Sequence, residues 1–245
     1  MMQTWNLEGR RIVNWKTCDW QPYPGLDGAE PGLSWCPIRA IPGRGDGYYL
    51  LKAEPGCGAA LHLHSAGEEF IMLEGELVDG DGTVLREGDC VSYAPGTRHR
   101  THSPKGCTLL ACIAGPISTI EGDDELDAMR EGRTIVNWHD GGFVPYPSLP
   151  DDSDVIHWVP VRANAETGEG FYLVRFEPGG CSTPHEHAGI EEFAILQGTL
   201  TDPDGTTYVE GDCISLPAGS AHFSRSSEGC ITVAMISGPL RMLEQ

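Results

Sequence analysis

The sequence is short of positive charge: Lys and Arg number 16 against 36 Asp and Glu, a formal net charge of −20. Such a chain repels a phosphate backbone, and no basic run offsets this locally, so nucleic acid is not an expected partner. No stretch approaches the roughly 20 apolar residues of a membrane span, and "MMQTWNLEGRRIVNW" has no apolar core of an export signal. A cytoplasmic protein without membrane partners is expected. Also missing is any CxxC pair among the nine cysteines, an odd number. They are expected as reduced thiols packed as small hydrophobes, not as disulfides or thiolate metal sites. What is abundant is turn chemistry. Gly 32 and Pro 18 are scattered along the chain, which predicts many short strands joined by tight turns and an all-β fold.

The second feature is a repeat. Shifting the sequence by 123 places Ile12-Val13-Asn14-Trp15 on Ile135-Val136-Asn137-Trp138 and Pro22-Tyr23-Pro24 on Pro145-Tyr146-Pro147. Trp35, Pro37 and Arg39 fall on Trp158, Pro160 and Arg162, "EGDC" at 87–90 on "EGDC" at 210–213, and Gly115-Pro116 on Gly238-Pro239. A period of this length is a whole small domain, so two tandem domains of one fold are expected, 1–122 and 123–245. Their junction falls in "EGDDELDAMREG", the best candidate for a helix or linker, since it has no β-branched residue. Within each copy, runs such as "YYLLKAEPG", "EEFIMLEGELVDGDG" and "CTLLACIAG" read as strands of a sandwich or barrel, with "DGDG" and "DPDG" as hairpin tips.

The chemistry sits in "GCGAALHLHSAGEEFIMLEG" and its counterpart "GGCSTPHEHAGIEEFAILQG". Side chains two apart on a strand share a face, so His62 and His64 point together, as do His185 and His187. Glu68 and Glu191 follow, and His99 and His222 come later, each after a glycine turn that returns the chain toward the same place. Three imidazoles and one carboxylate suit a divalent first-row ion such as Fe, Zn, Mn or Ni, with open positions left for water, oxygen or substrate. Two such sites per chain are expected. Glu69 and Glu192 compete with their neighbours as ligands, but Glu68 and Glu191 share the parity of the histidine pairs.

These residues also carry a family resemblance. Gly-x5-His-x-His-x3-Glu-x6-Gly runs from Gly56 to Gly75 and from Gly179 to Gly198, and resembles the first motif of the cupin superfamily. Gly211, Pro217, Gly219 and His222 match the second motif, whereas in the first copy Ala94 stands at the proline position with Pro95 one place on. Ser103 and Ser226 replace an asparagine that ends the long form of that motif. More narrowly, both halves resemble the zinc-binding cupin domain of ChrR-type anti-sigma factors, whose metal residues carry over onto His62, His64, Glu68 and His99, and onto His185, His187, Glu191 and His222. The separate helical domain of those factors, with its HxxxCxxC zinc motif, has no counterpart here, so sigma-factor binding does not carry over. The resemblance implies a bicupin: two jelly-roll barrels packed as the covalent counterpart of a cupin dimer, with a homodimer of such chains as a further assembly the fold allows.

Two functions follow from it. One is a metal-dependent dioxygenase, with iron(II) as the expected ion, acting on a small carbonyl or aromatic compound, similar to cupin dioxygenases that cleave carbon–carbon bonds in diketones or hydroxylated ketones. The other is a non-catalytic zinc-binding sensor or regulatory module. Trp35, Arg39, Tyr49 and their counterparts Trp158, Arg162 and Tyr172 are expected in core packing and domain pairing rather than at the pocket mouths. Arg100 and His102, replaced by Phe223 and Arg225, are expected to make the surroundings of the two sites differ. His139 and His157 have no repeated histidine partner and are expected outside the sites. Cys90 and Cys213 are expected as buried strand residues.

Overall fold

A computed structural model describes residues 5–25, 30–40, 43–121, 132–147 and 155–243. The expected helix or linker at 121–132 lies almost wholly outside the described residues. Among the described residues the chain is all-β, with one 3-10 turn at Trp138–Asp140 and antiparallel strand pairing throughout.

Two compact units emerge, residues 18–140 and residues 1–17 with 141–245. In the first, the main sheet runs in the order Arg133–Asn137, Asp89–Tyr93, Glu68–Asp79, Cys107–Ile113, Gly47–Ala53, Leu33–Ala40, Gln21–Pro22. A smaller sheet places His62–His64 between Ile117–Thr119 and Arg98–His99. The second unit repeats the plan with Arg11–Asn14, Asp212–Leu216, Glu191–Thr201, Cys230–Ser237, Glu169–Phe176, Ile156–Ala163 and Val144–Pro145, and with His185–His187 between Ala221–His222 and Leu240–Met242.

Side-chain alternation builds the core. Phe70 and Met72, Val91 and Tyr93, and Leu109, Ala111 and Ile113 lie at alternate positions and pack into one buried cluster with Trp35 and Leu77. The other unit gathers Phe193 and Ile195, Ile214 and Leu216, and Tyr172, Val174 and Phe176 in the same way. Each such side chain contributes roughly 1.5–3 kcal/mol on burial. Gly75 and Gly198, which close the first motif, have φ of 80° and 79°. A Cβ there would lie 2.2 and 2.1 Å from the carbonyl oxygens of Gly106 and Gly229. Only glycine lets the strands Glu68–Asp79 and Glu191–Thr201 approach the backbone just before their partner strands so closely.

The compact units do not coincide with the sequence copies 1–122 and 123–245, because each copy's opening strand joins the other copy's sheet. Arg11–Asn14 pairs with Asp212–Leu216, setting Val13 opposite Cys213, and Arg133–Asn137 pairs with Asp89–Tyr93, setting Val136 opposite Cys90. The two repeated motifs therefore meet each other. Asn14 Nδ2 donates to Asp212 Oδ1 at 2.9 Å and to the Glu210 carbonyl at 3.2 Å. Asn137 Nδ2 donates to Asp89 Oδ1 at 2.8 Å and to the Glu87 carbonyl at 3.1 Å. A repeat in sequence shows that a strand recurs; it does not show which of two identical sheet edges the strand completes.

Asn137→Ala should lower stability in urea by about 1–3 kcal/mol, the worth of two such bonds, one to a carboxylate. Amide exchange in that variant should quicken along Asp89–Tyr93 and not along Asp212–Leu216. The reverse pattern would show that the opening strands stay within their own copies.

Candidate functional site

His62–His64 pairs with Arg98–His99 so that His62 stands directly opposite His99, and His185 likewise faces His222. Directly opposed residues project to one side of a sheet, which brings the third imidazole to the first pair. The second-motif turn makes this possible. In the first copy Thr97 N bonds the Ala94 carbonyl across Pro95-Gly96, and in the second Ser220 N bonds the Pro217 carbonyl across Ala218-Gly219. Gly96 and Gly219 have φ of 87° and 83°, as a type II turn requires at its third position. The departure at Ala94 therefore leaves the turn intact: proline has moved to the position where its fixed φ is equally at home.

The histidine ligand atoms of each set lie within 4.8 Å of one another. His64 Nε2 and His99 Nε2 are 2.9 Å apart, and Glu68 Oε2 lies 3.2 Å from both. In the second set His187 Nε2 is 3.0 Å from His185 Nε2 and 3.1 Å from His222 Nε2, while Glu191 Oε2 lies 3.0 and 3.3 Å from His187 and His222. His64, His99, His187 and His222 are at most 2% exposed. All eight residues expected as ligands from the sequence are thus brought together in two sets of four. Glu69 and Glu192 point elsewhere, toward Ser92 Oγ and Ser215 Oγ.

The tautomers suit cation binding. The Nδ1–H of His62 donates to the Ala60 carbonyl and that of His185 to the Thr183 carbonyl, both at 2.7 Å, leaving the Nε2 lone pairs facing inward. Glu68 Oε2 and Glu191 Oε2 are buried without a hydrogen bond despite their short distances to imidazole nitrogens. A buried carboxylate oxygen and three imidazole nitrogens converging on one point, where the Nε2–Nε2 contacts can share only a proton, are what an ion in the middle would satisfy.

Electrostatics agree. Burial, then the neighbouring His99 and His64, lower His62 to about 3, and burial with His222 and His187 lowers His185 to about 3. Burial opposes the charge of Glu68, but His64, His99 and His62 hold it at about 2, and Glu191 is likewise well below the carboxylate range. His99 and His222 behave oppositely: burial pulls them down, yet Asp79 and Glu68 raise His99 to about 9, and Asp202 and Glu191 raise His222 to about 10. In the metal-free protein each cluster thus keeps one proton where a cation would otherwise sit.

Asp79 and Asp202 were not singled out in the sequence, where they pass as hairpin residues. Their side chains are fully buried and accept from His99 Nδ1 at 3.3 Å and His222 Nδ1 at 3.2 Å. The signal that could have found them is their recurrence at the offset of 123.

Each cluster opens into a cavity, about 850 Å³ in the first unit and about 610 Å³ in the second, mouths included. Both are walled mainly by aliphatic and aromatic side chains, with neither Lys nor Arg among the described lining residues. Tyr49 and Tyr172 line them, so these aromatics serve both core and pocket. Trp35 packs edge-on to Tyr49 at 5.7 Å, outside the lining. Arg100 and His102 are exposed and outside the cavity, because they alternate with the inward-facing His99 and Thr101. The expectation that they differentiate the sites is therefore corrected. The difference comes from Phe176 in place of Ala53, Thr232 in place of Leu109 and Val174 in place of Leu51. His139 is exposed and stacks on Trp138, and His157 lies 3.4 Å from Glu177, both away from the clusters. Cys90 and Cys213 are fully buried.

The family model described as "ChrR Cupin-like domain" matches residues 8–117 and again 132–241. Among curated proteins none matches the chain. Among solved structures, a proposed dioxygenase from Nostoc punctiforme aligns with a TM-score of 0.76 at 13% identity, covering 96% of this chain and 87% of that one. Salicylate 1,2-dioxygenase from Pseudaminobacter salicylatoxidans aligns at 0.59 and 13%, covering 80% and 74%. Oxalate decarboxylase from Lactobacillus farciminis aligns at 0.54 and 14%, covering 95% and 87%. At these identities the likeness is one of fold.

Metal binding should displace the proton held on His99 Nε2, and the one on His222, while Nδ1–H stays with the aspartate. Below a folded-state pKa of about 9 for His99 and about 10 for His222 the proton competes, so affinity should rise with pH between 6 and 8, by up to about tenfold per unit per site. Zinc titrations at three pH values check this; a pH-independent affinity would contradict it.

Proposed function

The chain belongs to the ChrR cupin-like family, and on that premise we propose that it is a metal-dependent enzyme, an iron(II) dioxygenase acting on a small carbonyl or aromatic compound. In this reading His62, His64, Glu68 and His99 hold one ion, and His185, His187, Glu191 and His222 the other. The observation that carries it is the juxtaposition of each four-ligand cluster with an apolar cavity large enough for a small organic molecule. A structural ion needs no such chamber, and closed structural sites leave no open position. The dioxygenases among proteins of the same fold lend support of a coarser kind.

The ion would supply Lewis acidity and, as iron, one-electron chemistry with dioxygen. The chain's own residues set the conditions. His62 and His185 stay neutral to about pH 3, so their lone pairs are available at any physiological pH. Glu68 and Glu191 stay ionised and offset part of the positive charge. Phe70, Leu77, Leu109 and Ile113 in one chamber, and Phe193, Leu200 and Ile236 in the other, exclude water and cover the apolar part of a substrate. Tyr49 and Tyr172, pushed well up by burial, remain neutral phenols, and Tyr49 donates its O–H to the Gly45 carbonyl at 3.1 Å. With no lysine or arginine among the described lining residues, substrate oxygens would be met chiefly by the ion. A compartment that keeps thiols reduced, the cytoplasm, suits nine free cysteines.

One observation favours a second reading. The family is described by ChrR, which supports a zinc-binding regulatory module. Oxygen uptake separates the two. The Fe(II)-loaded chain should consume oxygen with a small diketone, hydroxyketone or catechol, and the zinc-loaded chain should not. No uptake with any of these would remove the dioxygenase reading and leave the zinc module.

A further inference from the structure

Behind each cluster stands an arginine that belongs to the other sequence copy. Arg133 Nη1 donates to Asp79 Oδ2 at 2.6 Å, and its Nη2 to Asp81 Oδ2 at 2.9 Å and Thr83 Oγ1 at 2.6 Å. Its side chain is only 8% exposed. Arg10 repeats this in the second unit, with Nη1 3.4 Å from Asp202 Oδ2 and Nη2 donating to Asp204 Oδ2 at 2.8 Å and Thr206 Oγ1 at 2.7 Å. The same two aspartates, Asp79 and Asp202, hold the Nδ1–H of His99 and His222. An unbroken line of side chains thus runs from arginine to aspartate to the third imidazole of each cluster.

A second, independent feature converges on the same carboxylates. Asp79 accepts the phenol of Tyr93, and Asp202 accepts that of Tyr208. These tyrosines are not counterparts: Tyr93 aligns with Leu216, and Tyr208 with Leu85. The two copies therefore bring a phenol to the aspartate from different strands, exchanging a Tyr–Leu pair for a Leu–Tyr pair across the same core. Asp202 gains one more donor, Ser224 Oγ at 2.7 Å. A buried carboxylate held by three donors from separate elements has little freedom to turn, and neither has the imidazole it orients.

We propose that Arg133 and Arg10 are positioning residues, which fix the ring of His99 and His222 through Asp79 and Asp202 and so make each metal cluster depend on the docked opening strand of the other copy. Resting on the metal reading above, this inference adds a reciprocal wiring. Arg10 lies just before the strand Arg11–Asn14, and Arg133 begins Arg133–Asn137, so undocking either strand withdraws the guanidinium from the cluster it serves. A lysine could place a charge there, but only the planar fork reaches Asp79 with one nitrogen while the other spans Asp81 and Thr83.

The test uses the full chain with Co(II) alone as probe, in a His185→Ala background that leaves the first cluster as the cobalt site. Cobalt affinity and the visible ligand-field spectrum are recorded. Arg133→Met should weaken cobalt binding by about 10- to 100-fold and shift the spectrum, the usual effect of losing a partner that orients a metal-bound histidine. Arg133→Lys should shift it less, and Arg10→Met, which serves the other cluster, should change neither readout. If Arg133→Met fails to fold, Arg133→Lys decides: a shifted spectrum supports the proposal and a parental one overturns it. Parental affinity and spectrum in a folded Arg133→Met, or equal losses in Arg133→Met and Arg10→Met, would overturn the proposal while leaving the metal reading intact. A parent chain that binds no cobalt would overturn both.

Discussion

Three imidazole nitrogens lying within 4.8 Å of one another, with a carboxylate oxygen against two of them and little access to water, form an arrangement that repels itself unless positive charge sits among them. Much of each unit bears on this constraint. The HxH strand lies between two partners, so that His62 meets His99 and His185 meets His222 across the ladder. Glycines at positive φ let the turns and long strands close around the cluster. In the metal-free protein the charge is a proton on His99 or His222, at positions raised to about 9 and about 10; with metal it would be the ion.

From that constraint the surrounding shell follows. The raised histidine needs an anion behind it, which Asp79 or Asp202 provides, and a fully buried aspartate in turn needs donors, which a tyrosine and an arginine provide. The arginine arrives on the opening strand of the other copy. A duplicated chain whose copies trade edge strands is thereby also one whose two chemical centres are each braced by the other copy's sequence.

How much of this was legible beforehand depends on how local the information is. The HxH pairs, Glu68 against Glu69, and the glycine of each turn are fixed by strand parity and local φ, so they read directly from spacing. The all-β class followed from turn residues and short apolar runs. Ala94 departs from the second motif, but Pro95 in the next position belongs to the same turn. Less legible was anything set by pairing between distant segments. The strand "RIVN" carries no mark saying which "EGDC" edge it joins, so the compact units were not foreseeable from the repeat. Asp79 and Asp202 resembled turn formers, and the exchange of tyrosine between Tyr93 and Tyr208 broke the repeat at the very place where the two sites agree. Arg100 and His102 misled for a simpler reason: they sit one residue from inward-facing positions and so face out.

The most direct test of the account is metal content per chain, measured by elemental analysis of untagged protein purified without oxygen, together with the His62→Ala and His185→Ala single variants. The account predicts two ions per parent chain and the loss of one in each variant. A parent chain without bound metal would contradict it.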